Sequence, residues 1–103
     1  MSTATIHSGV CGFTTTVEAQ TEDDIVKLTF TSDCQAIQKL AEHLQSVNPY
    51  KEMSFRRAIP QTYQEAMKYC THAACPVPSG IIKAVEVEAG LALPADVSIQ
   101  IKK

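Results

Sequence analysis

The hydrophobic pattern of this chain changes near residue 32, and that change restricts the folds it can adopt. Before that point apolar and polar residues alternate, as in the run Val26-Lys27-Leu28-Thr29-Phe30. A period of two residues is typical of strands with one buried face. Beyond residue 32, apolar residues recur every three or four positions, which is typical of amphipathic helices. The chain is therefore predicted to form a sheet first and helices afterwards, in an α+β fold.

Three strands are predicted in the first third of the chain. They cover residues 4–8, 13–20 and 26–31, and short turns rich in glycine or in polar residues separate them. Because short turns join strands that run in opposite directions, we expect an antiparallel meander.

Three helices are predicted between residues 34 and 90, with Asn48-Pro49 ending the first. The residues expected to cap or close them are, in chain order, Ser32 or Asp33, then the capping box of Thr62 with Glu65, then Ser79 with Gly90. Their apolar stripes are Ile37, Leu40, Ala41, Leu44 and Val47, then Tyr63, Ala66, Met67 and Cys70, then Ile81, Ile82, Val85 and Ala89.

A last strand is predicted beyond Pro94, because Val97, Ile99 and Ile101 alternate with polar residues. The expected fold is therefore an antiparallel sheet with three helices on one face, in the order β-β-β-α-α-α-β. A chain of 103 residues has room for one hydrophobic core, so we expect a single domain over residues 1–103.

Four cysteines, Cys11, Cys34, Cys70 and Cys75, stand out because the chain starts without an export signal, and we expect a cytoplasmic protein. In a reducing compartment, cysteines at this density indicate metal or redox chemistry more than a disulfide framework. Their spacing is C-x22-C-x35-C-x4-C, which lacks the C-x2-C pair of zinc ribbons.

The predicted order of elements brings these cysteines together. Cys11 lies in the first turn, Cys34 follows the third strand, Cys70 ends the second helix and Cys75 precedes the third. If the helices pack antiparallel, all four lie at one end of the sheet. Cysteine thiolates are the ligands of iron–sulfur clusters, and four of them suit either a [2Fe-2S] or a [4Fe-4S] cluster. We therefore expect Cys11, Cys34, Cys70 and Cys75 to bind such a cluster.

Short motifs around three cysteines resemble the U-type iron–sulfur scaffold family, the IscU/NifU N-terminal domain. The resemblance covers about residues 9–90 and rests on Cys11-Gly12, Asp33-Cys34 and Cys75, the last followed by a helix containing Ile81-Ile82-Lys83-Ala84-Val85. It implies an IscU-like fold in which Cys11, Cys34 and Cys75 hold the cluster. Cys70 has no counterpart in that family and would be a fourth ligand.

Two departures from the scaffold family concern the cluster site. Phe13 stands where that family has an aspartate associated with cluster lability, which implies a more firmly held cluster. No histidine immediately precedes Cys75, and the nearest is His72. The whole chain also resembles a group of short cysteine-containing proteins of unknown function from anaerobes, which share Ser-Gly-x-Cys-Gly-Phe, Ser-Asp-Cys and Ala-Cys-Pro-Val-Pro.

The residues leave other functions open. A structural zinc site could use all four cysteines, with His72 in place of Cys70 as a variant. A thiol or persulfide protein could use Cys70 and Cys75 as an attacking and resolving pair, and Cys70 could also be a buried apolar residue.

Enzyme templates and charge limit the other classes of function. The chain lacks a glycine-rich phosphate loop, H-E-x-x-H and G-x-S-x-G, which favours a protein that is not an enzyme. We expect a protein partner for cluster or electron transfer. Because the net charge is −2, we expect no binding to nucleic acid or to a membrane surface.

Overall fold

The first three predicted strands form one antiparallel sheet, which a short fourth strand extends. The computed structural model describes residues 1–103, and the strands follow each other across the sheet in chain order. His7 pairs with Thr14, and Thr15 pairs with Ser32, so the β1–β2 turn and the end of β3 lie at the same end of the sheet. The strands are β1 (Ser2–His7), β2 (Thr14–Glu22), β3 (Ile25–Ser32) and β4 (Ser46–Val47).

Alternation along the strands buries one face of the sheet, as the sequence predicts. Val17 and Ala19 of β2 and Val26 and Leu28 of β3 belong to the core, while their polar neighbours lie on the opposite face. The helices cover the buried face, because side chains that alternate along a strand point to opposite sides of the sheet.

Two of the four helices pack on this sheet, and the other two pack on those helices. Helix α4 lies on β1 and β2, α1 lies on β3, and α3 packs against both α1 and α4. None of the helices combines the length with the apolar content that crossing a bilayer requires. Their bounds are α1 (Gln35–His43), α2 (Pro49–Glu52), α3 (Gln61–Tyr69) and α4 (Val77–Glu88). The core contains Val17, Ala19, Val26, Leu28, Ile37, Leu40, Leu44, Val47, Ala66, Val77, Ile81, Ala84 and Val85.

Helix α4 approaches β1 closely because Gly80 has no side chain. A Cβ atom at Gly80 would lie 2.5 Å from both Cδ1 and Cγ1 of Ile6. The glycine therefore lets the first turns of α4 rest directly on the edge strand of the sheet.

The region after α1 differs from the prediction. The helix ends at His43, and Val47 pairs with Val26 in β4 instead of continuing the helix. A further short helix, α2, follows at once, since Oδ1 of Asn48 accepts a hydrogen bond from the Tyr50 N–H at 3.0 Å and Pro49 occupies the first helical position.

The predicted capping box of α3 is wrong, because the cap comes from another helix. The N-cap residue of α3 is Pro60, and the carboxyl group of Glu52, at the end of α2, replaces the missing side-chain cap. Oε2 of Glu52 accepts from the Gln61 N–H at 2.9 Å. Oε1 accepts from the Thr62 N–H at 2.9 Å and from the Thr62 hydroxyl at 2.6 Å. Glu52 is only 2% exposed.

The other predicted caps and one stripe residue also need correction. Helix α1 is preceded by Cys34 as its N-cap, and the Asp33 side chain makes no cap bond. Helix α4 begins at Val77, ahead of Ser79, since prolines fit a first turn where backbone N–H groups have no helical partner. Met67 is 66% exposed, so α3 buries Thr62 and Ala66 instead.

The predicted last strand is also wrong. Residues 92–103 form no helix or strand, and none of the backbone hydrogen bonds involves them. Val97, Ile99 and Ile101 are 64%, 78% and 89% exposed. The observed order is therefore β-β-β-α-β-α-α-α, because a strand-like pattern forms a strand only where a partner strand is present.

We expect Glu52→Gln to lower the free energy of unfolding by about 1–3 kcal/mol, since the amide turns an N–H group toward backbone N–H donors that then lack an acceptor. Urea unfolding followed by circular dichroism measures this change. Glu42→Gln, at an exposed position of α1 that loses the same charge, is the matched control and should stay within about 0.5 kcal/mol of the parent. Equal stability of the two variants would show that Glu52 does not cap α3.

Candidate functional site

Cys34 is fixed by the junction of β3 and α1. It is the N-cap of α1 with extended backbone, and its carbonyl accepts the Gln38 N–H at 2.9 Å. Its own N–H donates to Oγ of Ser32 at 3.2 Å. The Cys34 side chain is half-buried and packs against the core, so both its backbone and its thiol have defined surroundings.

Cys70 is fixed by the end of α3. It is the C-cap residue, and its N–H donates to the Ala66 carbonyl at 2.9 Å. The preceding residue, Tyr69, stacks on His43 at the end of α1, with ring centroids 4.6 Å apart and planes inclined by 17°. This stack holds the last turn of α3 against α1 and so sets the place of Cys70.

Cys75 closes a turn in the loop between α3 and α4. Its N–H donates to the backbone carbonyl of His72 at 3.2 Å, and Pro76 follows as the N-cap of α4. The Cys75 side chain is half-buried against the core, whereas His72 is exposed. His72 therefore supports Cys75 through its backbone.

The thiols of Cys34, Cys70 and Cys75 form one group, which we call the thiol cluster. The pKa of the Cys70 thiol is raised from 9.0 to about 11, first by burial and then by its neighbours Cys75 and Cys34. All three side chains also pack against the same hydrophobic core. Residues from three separate segments thus meet at the end of the sheet where β3 ends.

Cys11 is not part of the thiol cluster. It is exposed in the β1–β2 turn, which is closed by hydrogen bonds from Ser8 N–H to the Phe13 carbonyl at 3.0 Å and from Gly12 N–H to the Gly9 carbonyl at 2.8 Å. Both glycines have positive φ, 83° and 75°, which other residues adopt at a cost. The strand register puts this turn at the same end of the sheet as Ser32, but Cys11 does not act on Cys70.

The four thiols match the number and chemistry of an iron–sulfur or zinc donor set, but their side chains are not arranged as one. No group of three or more histidine, cysteine, aspartate or glutamate side chains is positioned to hold a metal ion. All four cysteines are free thiols. The arrangement can therefore do two things chemically: supply thiolates to a metal centre after rearrangement, or form a Cys70–Cys75 disulfide.

Two contacts that position the cysteines have no counterpart in the sequence prediction. The His43–Tyr69 stack joins residues of different helices. A periodic pattern within one helix does not indicate which side chain of another helix it will contact. The hydroxyl of Ser32 accepts a hydrogen bond from the Cys34 N–H. The sequence predicts only that Ser32 or Asp33 caps α1 and does not indicate this bond. Serine two residues before an N-cap position is a weak sign of such a bond.

Comparison with curated proteins and with solved structures finds no match. The profile of a family described as "Family of unknown function (DUF6951)" matches residues 2–101. The match covers every element of the fold and all four cysteines. The chain therefore belongs to this family of unknown function, DUF6951.

Proposed function

We propose that the protein binds an iron–sulfur cluster and holds it, delivers it or passes its electrons to a protein partner. The ligands are Cys34, Cys70 and Cys75 of the thiol cluster, with Cys11 as the fourth. The observation that carries the proposal is the meeting of three thiols from three chain segments at one end of the fold.

The electrostatics of the thiol cluster support a positively charged occupant. Deprotonating Cys70 is unfavourable because its thiol is partly buried and lies beside Cys75 and Cys34, and its pKa is raised accordingly. Iron ions would offset this penalty, because they bind thiolates and reduce the repulsion between them. Ligation would release the protons of the thiols.

Cys11 suits the role of the fourth, outer ligand. Its turn lies at the end of the sheet where Cys34 follows β3, and its exposed side chain leaves room for movement. A ligand on an exposed turn also makes the cluster accessible to a partner protein. Cys70 is a better ligand candidate than His72, because Cys70 belongs to the thiol cluster and His72 is exposed.

The remaining parts of the proposal come from the sequence. They are the likeness to the U-type scaffold family with its IscU-like fold, a cytoplasmic setting that keeps the thiols reduced, and a role that is not enzymatic. Phe13, in place of the aspartate of the scaffold family, favours a cluster that is retained over one that is readily lost.

We expect the protein purified without oxygen to be brown and to contain iron and acid-labile sulfide. Cys34→Ser and Cys75→Ser should each abolish the cluster, since the thiol cluster then lacks a ligand. Absorption spectra with iron and sulfide assays on the parent and variants measure this. His72→Ala, which changes an exposed side chain between Cys70 and Cys75, is the control and should retain the parent iron content.

The same assays separate the alternatives. Zinc at about one ion per chain, without sulfide, would mean that the cysteines form a structural four-cysteine zinc site and not a cluster site. Iron and sulfide that survive both Cys34→Ser and Cys75→Ser would overturn the ligand assignment. Loss of the cluster in His72→Ala with the fold intact would assign a ligand to His72.

A second candidate function is thiol or persulfide handling, and the packing of Cys70 and Cys75 against the same core, with Cys75 raising the pKa of Cys70, favours it. Because Cys70 has a raised pKa, it is poorly suited to attack as a thiolate, so Cys75 takes the attacking role and Cys70 the resolving one. An added small disulfide would accept the two electrons and two protons that the Cys70 and Cys75 thiols lose on forming their own disulfide.

At mildly alkaline pH we expect Cys70 to react with an alkylating reagent about 100-fold more slowly than a thiol of pKa 9.0, because its pKa is about 11. Its reactivity should rise as pH increases from 9 toward 11. Mass spectrometry of alkylated peptides measures the rate at each pH.

The controls for this rate use the neighbours of Cys70. Cys75→Ala removes a neighbour that raises the pKa of Cys70, so the Cys70 reaction should shift to lower pH, whereas Cys11→Ala should leave it unchanged. An unchanged pH profile in Cys75→Ala would contradict the contact between the two thiols.

A further inference from the structure

The segment of residues 91–103 has the pattern of a strand along its whole length. Its odd positions from 91 to 101 are all apolar, whereas the even positions are mainly polar. The apolar positions are Leu91, Leu93, Ala95, Val97, Ile99 and Ile101. This alternation is the signature of a strand with one buried face.

The segment finds no partner within its own chain. It forms no strand, residues 92–103 make no backbone hydrogen bond, and Ile99 and Ile101 are 78% and 89% exposed. Pro94 fixes its own φ and holds Leu93 extended, so the start of the segment is stiff. An extended row of apolar side chains in water has a strong tendency to pair with a sheet edge.

The same fold exposes an unprotected sheet edge. β1 pairs with β2 on one side and has no strand on the other. Sheet edges are commonly guarded by charged residues, proline or bulges, but β1 reads Ser-Thr-Ala-Thr-Ile-His and contains no lysine, carboxylate or proline. Ala4 and Ile6 on its helix-covered face are only partly buried, which leaves the core incomplete along this edge.

We propose that the 91–103 segment of one copy adds as a strand to the β1 edge of a second copy, and that the exchange is reciprocal. Each chain contributes one segment and one β1 edge. In a two-fold symmetric dimer both segments and both edges are therefore paired, and no further copy can add. The apolar residues Val97, Ile99 and Ile101 would continue the face formed by Ala4 and Ile6.

The end of α4 is closed by a glycine turn that lies beside the start of β1. Gly90, with φ of 74°, closes the helix, and the Leu91 N–H donates to the Glu86 carbonyl at 2.9 Å. Glu88 anchors this end beside the start of β1, because its Oε1 accepts from the Ser2 hydroxyl at 3.2 Å. Pairing with its own β1 would require a sharp reversal between Gly90 and the stiff Leu93–Pro94 unit. The molecule is elongated, with principal extents of 43 × 27 × 27 Å.

The test compares two variants that add the same charge to opposite faces of the segment. Val97→Lys/Ile99→Lys places two lysines on the apolar face, and Ser98→Lys/Gln100→Lys places two on the polar face. The full-length protein, kept reduced so that disulfides do not join chains, should have twice the mass of 11.2 kDa by light scattering over a dilution series. The apolar-face variant should raise the dimer Kd at least about 100-fold, and the polar-face control by less than about 10-fold.

Hydrogen exchange of the β1 amides gives a readout that separates the outcomes. The proposal requires dimers whose β1 and 91–103 amides are protected together, with the protection lost in Val97→Lys/Ile99→Lys. A parent monomer with those amides protected would mean that the segment pairs with its own edge. A parent monomer without protection, or a dimer that the apolar-face variant does not weaken, would also overturn the proposal.

Discussion

The hydrogen bonds that the buried carboxyl group of Glu52 accepts are the connection on which the placement of the thiol cluster depends. Residues 53–60 form no helix or strand, so the direction of α3 is not set by a regular connection. Glu52 fixes the first turn of α3 through three hydrogen bonds. A nine-residue helix is rigid, so holding its first turn, together with the stack of Tyr69 on His43, also fixes Cys70 at its other end.

The three clustered cysteines share a structural position: each lies at or just beyond the end of an element. Cys34 precedes α1, Cys70 follows α3, and Cys75 lies two residues before α4. Helix ends leave backbone groups without helical partners, and loops or side chains must satisfy them. Cysteines at such places have a backbone defined by the helix and a side chain free to face another segment. This explains how thiols far apart in sequence come within reach of one another.

Local patterns account for most of the fold, and long-range contacts account for the differences. The first three strands and helices α1, α3 and α4 follow from periodicity, because each segment has apolar residues at the spacing that puts them on one buried face. The cap of α3 does not, since Glu52 and Thr62 belong to different elements, and neither does β4, whose two residues are too short for a pattern. For the site, element order predicts the meeting of Cys34, Cys70 and Cys75. The separate position of Cys11 depends on side-chain directions that spacing does not encode.

The five-residue step from Cys70 to Cys75 joins the end of α3 to the start of α4. Whatever bonds both thiols would tie two helices that otherwise connect through a loop without regular structure. An occupant with this property binds the folded chain and has no equivalent site in the unfolded one, so its binding free energy adds to that of folding. Filling the site would then hold the end of α3 at a fixed distance from the start of α4.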